Sequence, residues 1–195
     1  LAERLGPSAV LAANTSALSV ARLAETTPYP ERVAGLHFFN PVHKMHLVEV
    51  VRARSTNDAT IATLVEFVRK LGKTPVVVAD SPGFLVNRIL FPYLDEAVRL
   101  TLEGVFGDEV DRQAERFGMP VGPLELLDQI GIDIAADVAK TFATLSSDVG
   151  PTPERFAEMV KAGALGKKTG RGFYEYAAGK KGDPTNWATG TGASR

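Results

Sequence analysis

The sequence predicts an α/β layer followed by an all-helical half. Three observations carry that expectation. Short continuous apolar runs at residues 9–13, 33–39, 47–52 and 74–79 have the length and β-branched content of strands covered on both faces. An amphipathic helical pattern separates the third run from the fourth, and strand, helix and strand in alternation point to an α/β layer. After Asp80-Ser81-Pro82-Gly83 no β-patterned run recurs until residues 172–176.

Residues 1–5 read as the last turns of an amphipathic helix, ended by Gly6-Pro7. The chain opens without an initiator Met or a basic, signal-like start, so it is expected to come from a longer polypeptide. The first apolar run ends in Asn14-Thr15-Ser16, small polar residues where a buried strand would emerge. Residues 20–25 fit a short helix, and Pro28 and Pro30 break the chain. Asn40-Pro41 closes the second run. If the second and third runs pair antiparallel about a turn centred on His43, position 37 lies opposite position 49, with cross-strand neighbours ~5 Å apart. Ser55, Thr56 and Asn57 are N-cap candidates for the helix that follows. Ile61, Leu64, Val65, Val68 and Leu71 mark its buried face, and Gly72 ends it.

The second half reads as a long helix over 84–103 kinked at Pro92, and a helix capped by Asp108 and running to 117. Further helices are expected near 124–130, 132–145 and 154–162. Residues 172–176 are a lone strand pattern, and the Gly-, Thr- and Lys-rich stretch beyond Ala178 reads as linker or tail. The expected domains are therefore 1–80, 81–178 and a terminal segment 179–195.

Bulk properties narrow the function classes. At 195 residues, 45% hydrophobic and 23% charged, the chain has an ordinary globular composition. A net charge of −1 gives no electrostatic reason to expect a nucleic-acid partner or a strong pull toward membranes. No apolar run approaches the ~20 residues of a membrane span. The absence of cysteine excludes disulfides and thiolate metal sites and suits a cytosolic setting.

The residues that could carry chemistry begin with His37, set in an apolar run, and Glu49, the carboxylate that interrupts the next one. Burying both is costly unless they pair; paired, they form a general base and its orienter. A core histidine bonded to backbone and a solvent-facing edge glutamate fit the same pattern, and periodicity leaves both readings open. Ser16 lies at the carboxyl end of a buried strand, where open α/β sheets bind ligands, but also suits an ordinary turn. Asn87 sits inside an apolar helix, where its amide must meet either an intramolecular partner or a ligand. His43, His46 and Glu49 have a spacing that would gather a metal only on a helix, which Pro41 argues against, so no metal is expected. Ser16, His37 and Glu49 lack a nucleophile elbow. The basic turn Gly166-Lys167-Lys168-Thr169-Gly170-Arg171-Gly172 could hold anions but does not match the phosphate-loop pattern.

An ordered set of segments resembles the 3-hydroxyacyl-CoA dehydrogenase family. It comprises Asn14-Thr15-Ser16, Gly35-Leu36-His37-Phe38-Phe39-Asn40-Pro41-Val42, Leu47-Val48-Glu49-Val50 and Asp80-Ser81-Pro82-Gly83-Phe84-Leu85-Val86-Asn87-Arg88. Met119-Pro120-Val121-Gly122-Pro123 and the run from Gly166 through Gly172-Phe173-Tyr174 complete it, so the likeness covers nearly all of residues 1–178. His43-Lys44-Met45 and the Lys- and Gly-rich terminal segment look more like the multifunctional β-oxidation subunits than the stand-alone enzyme.

The resemblance implies the closing part of a Rossmann-type NAD-binding domain and a helical, 6-phosphogluconate-dehydrogenase-like domain for substrate and dimerisation. It implies oxidation of 3-hydroxyacyl-CoA to 3-oxoacyl-CoA with NAD. His37 would be the base, Glu49 its orienter, Ser16 and Asn87 substrate contacts, and Ser16, Asn40 and Lys168 cofactor contacts. A homodimer or a subunit of a β-oxidation complex, in a bacterial-type cytoplasm or a mitochondrial matrix, would follow. One departure is large: the G-x-G-x-x-G turn and the acidic residue for the ribose do not occur in these residues. The chain by itself is therefore expected to bind NAD weakly or not at all and to leave an unpaired sheet edge. A non-enzymatic alternative, a dimerisation or interaction module, stands beside the enzyme.

Overall fold

The computed structural model describes residues 2–6, 8–15, 19–143 and 152–189. The chain divides into two compact units, Leu1–Arg88 and Ile89–Arg195.

In the first unit, a short helix α1 (Ala2–Leu5) precedes β1 (Leu11–Ala13), α2 (Val20–Ala24), a 3-10 turn at Pro30–Arg32, β2 (Val33–Phe38), β3 (Leu47–Arg52), α3 (Asp58–Lys70) and β4 (Thr74–Ala79). The four strands form one sheet in the order β1-β2-β3-β4. β1 runs parallel to β2, β2 antiparallel to β3, and β3 parallel to β4. Alternation along the strands sorts the side chains. Ala34, Leu36, Val48 and Val50 pack with Ile61, Leu64 and Val68 of α3. Val33, Val51 and Val78 pack with Val20 and Ala24 of α2 and with Phe84. That period of two is why the apolar runs are continuous: both sheet faces are covered.

Local signals place the elements. Asn57 caps α3 by accepting the N–H of Thr60 at 2.8 Å. Gly35 is glycine because a Cβ there would lie 2.7 Å from Val51 Cβ and 3.0 Å from Val20 Cγ2, so a side chain would push α2 off the sheet. The start of α2 is held from far away in sequence: Asp80 accepts the N–H groups of Val20 (3.1 Å) and Ala21 (2.7 Å) and the Ser19 hydroxyl. A carboxylate at a helix N-terminus meets both unpaired donors and the positive end of the dipole.

Helix α4 (Val86–Leu102) opens at the end of the first unit. The second unit continues with α5 (Gly107–Phe117), α6 (Pro123–Ile130), α7 (Ile132–Ala143), α8 (Thr152–Lys161), a 3-10 turn at Lys167–Thr169, and the hairpin β5 (Tyr174–Ala177) and β6 (Lys180–Pro184). Its core joins Leu94, Val98, Leu124, Leu127, Ile132, Phe156, Met159 and Phe173. Two buried carboxylates tie it together. Asp111 accepts the N–H groups of Leu124 and Glu125 at the start of α6 and the Tyr174 hydroxyl. Asp128 accepts the N–H groups of Phe173 and Tyr174, each at 2.9 Å. Gly172 makes room for it, since a Cβ there would fall 1.9 Å from Asp128 Oδ1.

Three expectations are corrected. The long helix begins at Val86, because residues 82–85 form a turn. Asp108 lies in the first turn of α5 and does not cap it; Phe106 occupies the cap position without a side-chain bond. The stretch beyond Ala178 is not a linker over its described part. β6 pairs with β5, Thr185 and Ala188 are buried, and Gly107 donates its N–H to Ala188 O at 2.7 Å. Trp187 packs on the core, with Arg155 5.4 Å from its ring centroid. A composition of Gly, Thr and Lys hid a hairpin whose contacts are made mostly by backbone and by two or three side chains.

Candidate active site

β2 and β3 pair so that His37 stands directly opposite Glu49, the register set by a turn centred on position 43. Both side chains share the sheet face of Val33 and Val51. His37 Nδ1 lies 2.7 Å from Glu49 Oε2, and the side chains are 9% and 0% exposed. The solvent-facing alternative for Glu49 is thereby overturned. Its other oxygen, Oε1, accepts the N–H groups of Leu85 and Val86, each at 2.9 Å, at the start of α4. Burial pushes the Glu49 carboxyl toward its neutral form. The hydrogen bonds from His37, Val86 and Leu85 outweigh that, and its pKa falls below the ordinary value.

An ionised carboxylate only accepts, so the proton of the neutral imidazole sits on Nδ1. Nε2 is left with its lone pair, and it makes no hydrogen bond among the described residues. Two aromatic rings flank the imidazole: Phe39 at 4.6 Å and Phe84 at 5.7 Å between centroids. The arrangement is a largely buried imidazole, oriented by its carboxylate and chemically able to accept a proton at Nε2.

The structure brings some of the other expected residues to this place. Asn87 lies in the first turn of α4, beside the two N–H groups that Glu49 holds, and its amide makes no hydrogen bond among the described residues. The mid-helix position expected for Asn87 is thereby corrected: it stands in the first turn, where an Asn is not anomalous. Asn40 follows β2 on the exposed connection to β3, before a cis peptide bond to Pro41. Ser16 lies outside the described residues. Lys168 belongs to the second unit, where its Nζ pairs with Asp133 Oδ1 at 2.5 Å. His43 and His46 are exposed, Glu49 is committed to His37, and no cluster able to hold a metal occurs among the described residues.

Sequence reasoning missed five contributors. Phe39 and Phe84 wall the imidazole, and backbone N–H groups of Leu85 and Val86 fix its carboxylate; no side-chain pattern announces a backbone donor. Lys73 was also missed. Its Nζ donates to the carbonyl oxygens of Val42 (2.6 Å) and Met45 (2.8 Å), clamping the connection that carries Asn40.

The parallel strands β1 and β2 finish at the end of the sheet where His37 stands, with Asn14 and Thr15 beyond one and Asn40 beyond the other. Open α/β sheets hold ligands at that end. The glycine turn that receives a dinucleotide's pyrophosphate in such sheets is not part of this sequence.

Comparison with known proteins agrees with this geometry. A family model described as the 3-hydroxyacyl-CoA dehydrogenase NAD-binding domain matches residues 1–81, and one described as the C-terminal domain of the same family matches residues 83–176. The fatty acid oxidation complex subunit alpha of Idiomarina loihiensis is 45% identical over 184 residues, which are 94% of this chain and 26% of that protein. The (S)-3-hydroxybutyryl-CoA dehydrogenase of Ralstonia eutropha superposes with a TM-score of 0.83 at 42% identity, covering 88% of this chain and 62% of that one. The 3-hydroxybutyryl-CoA dehydrogenase of Escherichia coli gives a TM-score of 0.81 at 38% identity, covering 91% of this chain and 39% of that one. The chain thus spans about a quarter of the curated relatives it matches. With both domain models matching in order and the paired His37 and Glu49 in place, the chain belongs to the 3-hydroxyacyl-CoA dehydrogenase family.

Proposed function

We propose that this chain carries the catalytic base of an NAD-dependent dehydrogenase that oxidises 3-hydroxyacyl-CoA to 3-oxoacyl-CoA. The observation that carries the reading is the buried His37–Glu49 bond of 2.7 Å, with Glu49 held in turn by two N–H groups. His37 Nε2 takes the proton of the 3-hydroxyl group. Glu49 keeps the imidazole in the tautomer that leaves Nε2 free, and its charge offsets the imidazolium that forms. Phe39 and Phe84 keep water from the ring. Asn87 orients the substrate oxygen with its unengaged amide, and Ser16 is assigned a substrate contact by family likeness. Bound NAD supplies the hydride acceptor. Asn40 and Ser16 are the residues of this chain assigned to hold it.

The named relatives include complex subunits, so the protein is assigned to a fatty acid oxidation assembly, with the helical domain over 81–178 for association; a cytoplasmic setting is proposed with it. Homodimerisation is the competing arrangement, and sedimentation of the natural protein decides between them.

The test follows NADH with acetoacetyl-CoA in the natural protein and in His37→Gln. Loss of a general base lowers kcat by about 10²- to 10⁴-fold. Equal rates would remove His37 from the mechanism.

A further inference from the structure

The turn between Ser81 and α4 holds an unusual residue. Phe84 has φ +48°, directly after Gly83 at φ +73°. Glycine adopts that backbone freely; a bulky aromatic residue rarely does, and persists there only where its surroundings over-determine it. Phe84 is 4% exposed, and its N–H donates to Ser81 O at 2.8 Å.

Two consequences follow from this one backbone conformation. The next two N–H groups, of Leu85 and Val86, turn inward onto the same oxygen, Glu49 Oε1. Successive N–H groups in such a turn form an anion-binding concavity, and here the anion is the Glu49 carboxylate. The Phe84 ring meanwhile lies 5.7 Å from the His37 ring between centroids and belongs to the core cluster of Val20, Val51 and Val78. One residue therefore touches the imidazole with its side chain and aims its two successors at the imidazole's partner. A core-filling phenylalanine would need no left-handed backbone, and filling the core would not explain the convergence on Oε1.

Resting on the dehydrogenase reading, we propose that Phe84 is a positioning residue. It holds the His37–Glu49 pair in register with the first turn of α4, where the substrate-side Asn87 stands. Base and amide come from different elements, β2 and α4. Glu49 bridges them, and Phe84 sets the bridge. Small misplacements at a reacting centre are expensive, so the effect falls on turnover and not on ground-state binding.

The test uses the natural protein carrying Phe84→Ala, Phe84→Gly and Phe84→Leu. Phe84→Ala is expected to lower kcat about 10- to 100-fold with KM for both substrates little changed. Phe84→Gly, which adopts the left-handed backbone without strain, isolates the loss of the ring and stands in for the alanine variant if that does not fold. Phe84→Leu, which refills the apolar volume, should recover most of the turnover. Hydrogen exchange at the Leu85 and Val86 amides should quicken at least about tenfold in Phe84→Ala or Phe84→Gly relative to that of Val50 in the sheet. In a Glu49→Gln background, removing the ring should add little further loss, because both changes act through the same carboxylate.

Wild-type turnover in the ring-deleted variants, unaltered exchange at Leu85 and Val86, or a loss that multiplies in full with that of Glu49→Gln would each overturn the proposal. No oxidation of NADH with acetoacetyl-CoA by the natural protein would instead overturn the dehydrogenase reading, and full activity in His37→Gln would remove the base that Phe84 is proposed to position. An inactive His37→Gln beside an unaffected Phe84→Ala would overturn the positioning role alone.

Discussion

Replacing Glu49 with glutamine separates the charge of this residue from its shape. Three N–H groups converge on the carboxylate: His37 Nδ1 at 2.7 Å on one oxygen, Leu85 and Val86 at 2.9 Å on the other. Glutamine offers one acceptor and one donor in the same space. If its oxygen faces α4, its amide donors face His37 Nδ1, and the imidazole must move its proton to Nε2. If it flips, two buried N–H groups face an NH2, at a cost of about 1–3 kcal/mol each. The first arrangement is the cheaper one, and it removes the lone pair that would accept the substrate proton. Turnover should fall about 10³- to 10⁴-fold, as a wrong tautomer does in hydrolase triads, or about 4–5.5 kcal/mol in the barrier. Steady-state NADH kinetics measure the loss. Nitrogen NMR of His37 reads the tautomer, Nδ1 protonated in the natural protein and Nε2 protonated in the variant. A loss under about tenfold, or the same tautomer in both proteins, would refute the reasoning.

The low pKa of Glu49 makes part of the stability pH-dependent. Its folded-state value lies below its unfolded one, so the contribution is present above about pH 4 and is lost as pH falls through the folded value. The stability gap between natural protein and Glu49→Gln, measured by urea unfolding, should narrow in acid. Asp128 behaves oppositely: burial raises it to about 6, against the pull of the Phe173 and Tyr174 N–H groups. Its contribution is full below about pH 4 and lost as pH rises through about 6, a change of roughly 2–3 kcal/mol at most. Asp128→Asn also leaves one of two buried N–H groups without an acceptor, so it should cost about 1–3 kcal/mol and flatten that pH dependence. Truncation after Ala178 should lower Tm by several degrees, because it removes β6 and the buried Thr185 and Ala188; an unchanged Tm would restore the linker reading.

The pairing of His37 with Glu49 was legible because strand register is arithmetic. Two apolar runs joined by an eight-residue connection allow few alignments, and a slip of one residue would carry His37 and Glu49 to opposite faces of the sheet. The cap at Asn57 and the buried stripe of α3 were legible because both depend on neighbours within a few positions. The start of α4 was not. It is set by Glu49, 36 positions before Leu85 in the chain, and its turn uses a phenylalanine where local preference favours glycine. Asp80 and α2 repeat the case, with 60 positions between the carboxylate and Val20. The terminal hairpin was missed because its composition is that of a loop, while its stability comes from pairing with β5 and from Thr185 bridging Gly172 and Phe173.

What the amino-acid order determined by itself is the alternation of strands and helices, the candidate base and its partner, and the family, since these rest on periodicity, spacing and ordered motifs. What tertiary structure decided is how that imidazole is set. Whether His37 is buried, which nitrogen keeps its proton, and why a buried Glu49 stays charged all depend on groups brought from β3, the 82–85 turn and the start of α4. The energy of a buried charge is set by donors around it in space, and sequence distance carries no information about them.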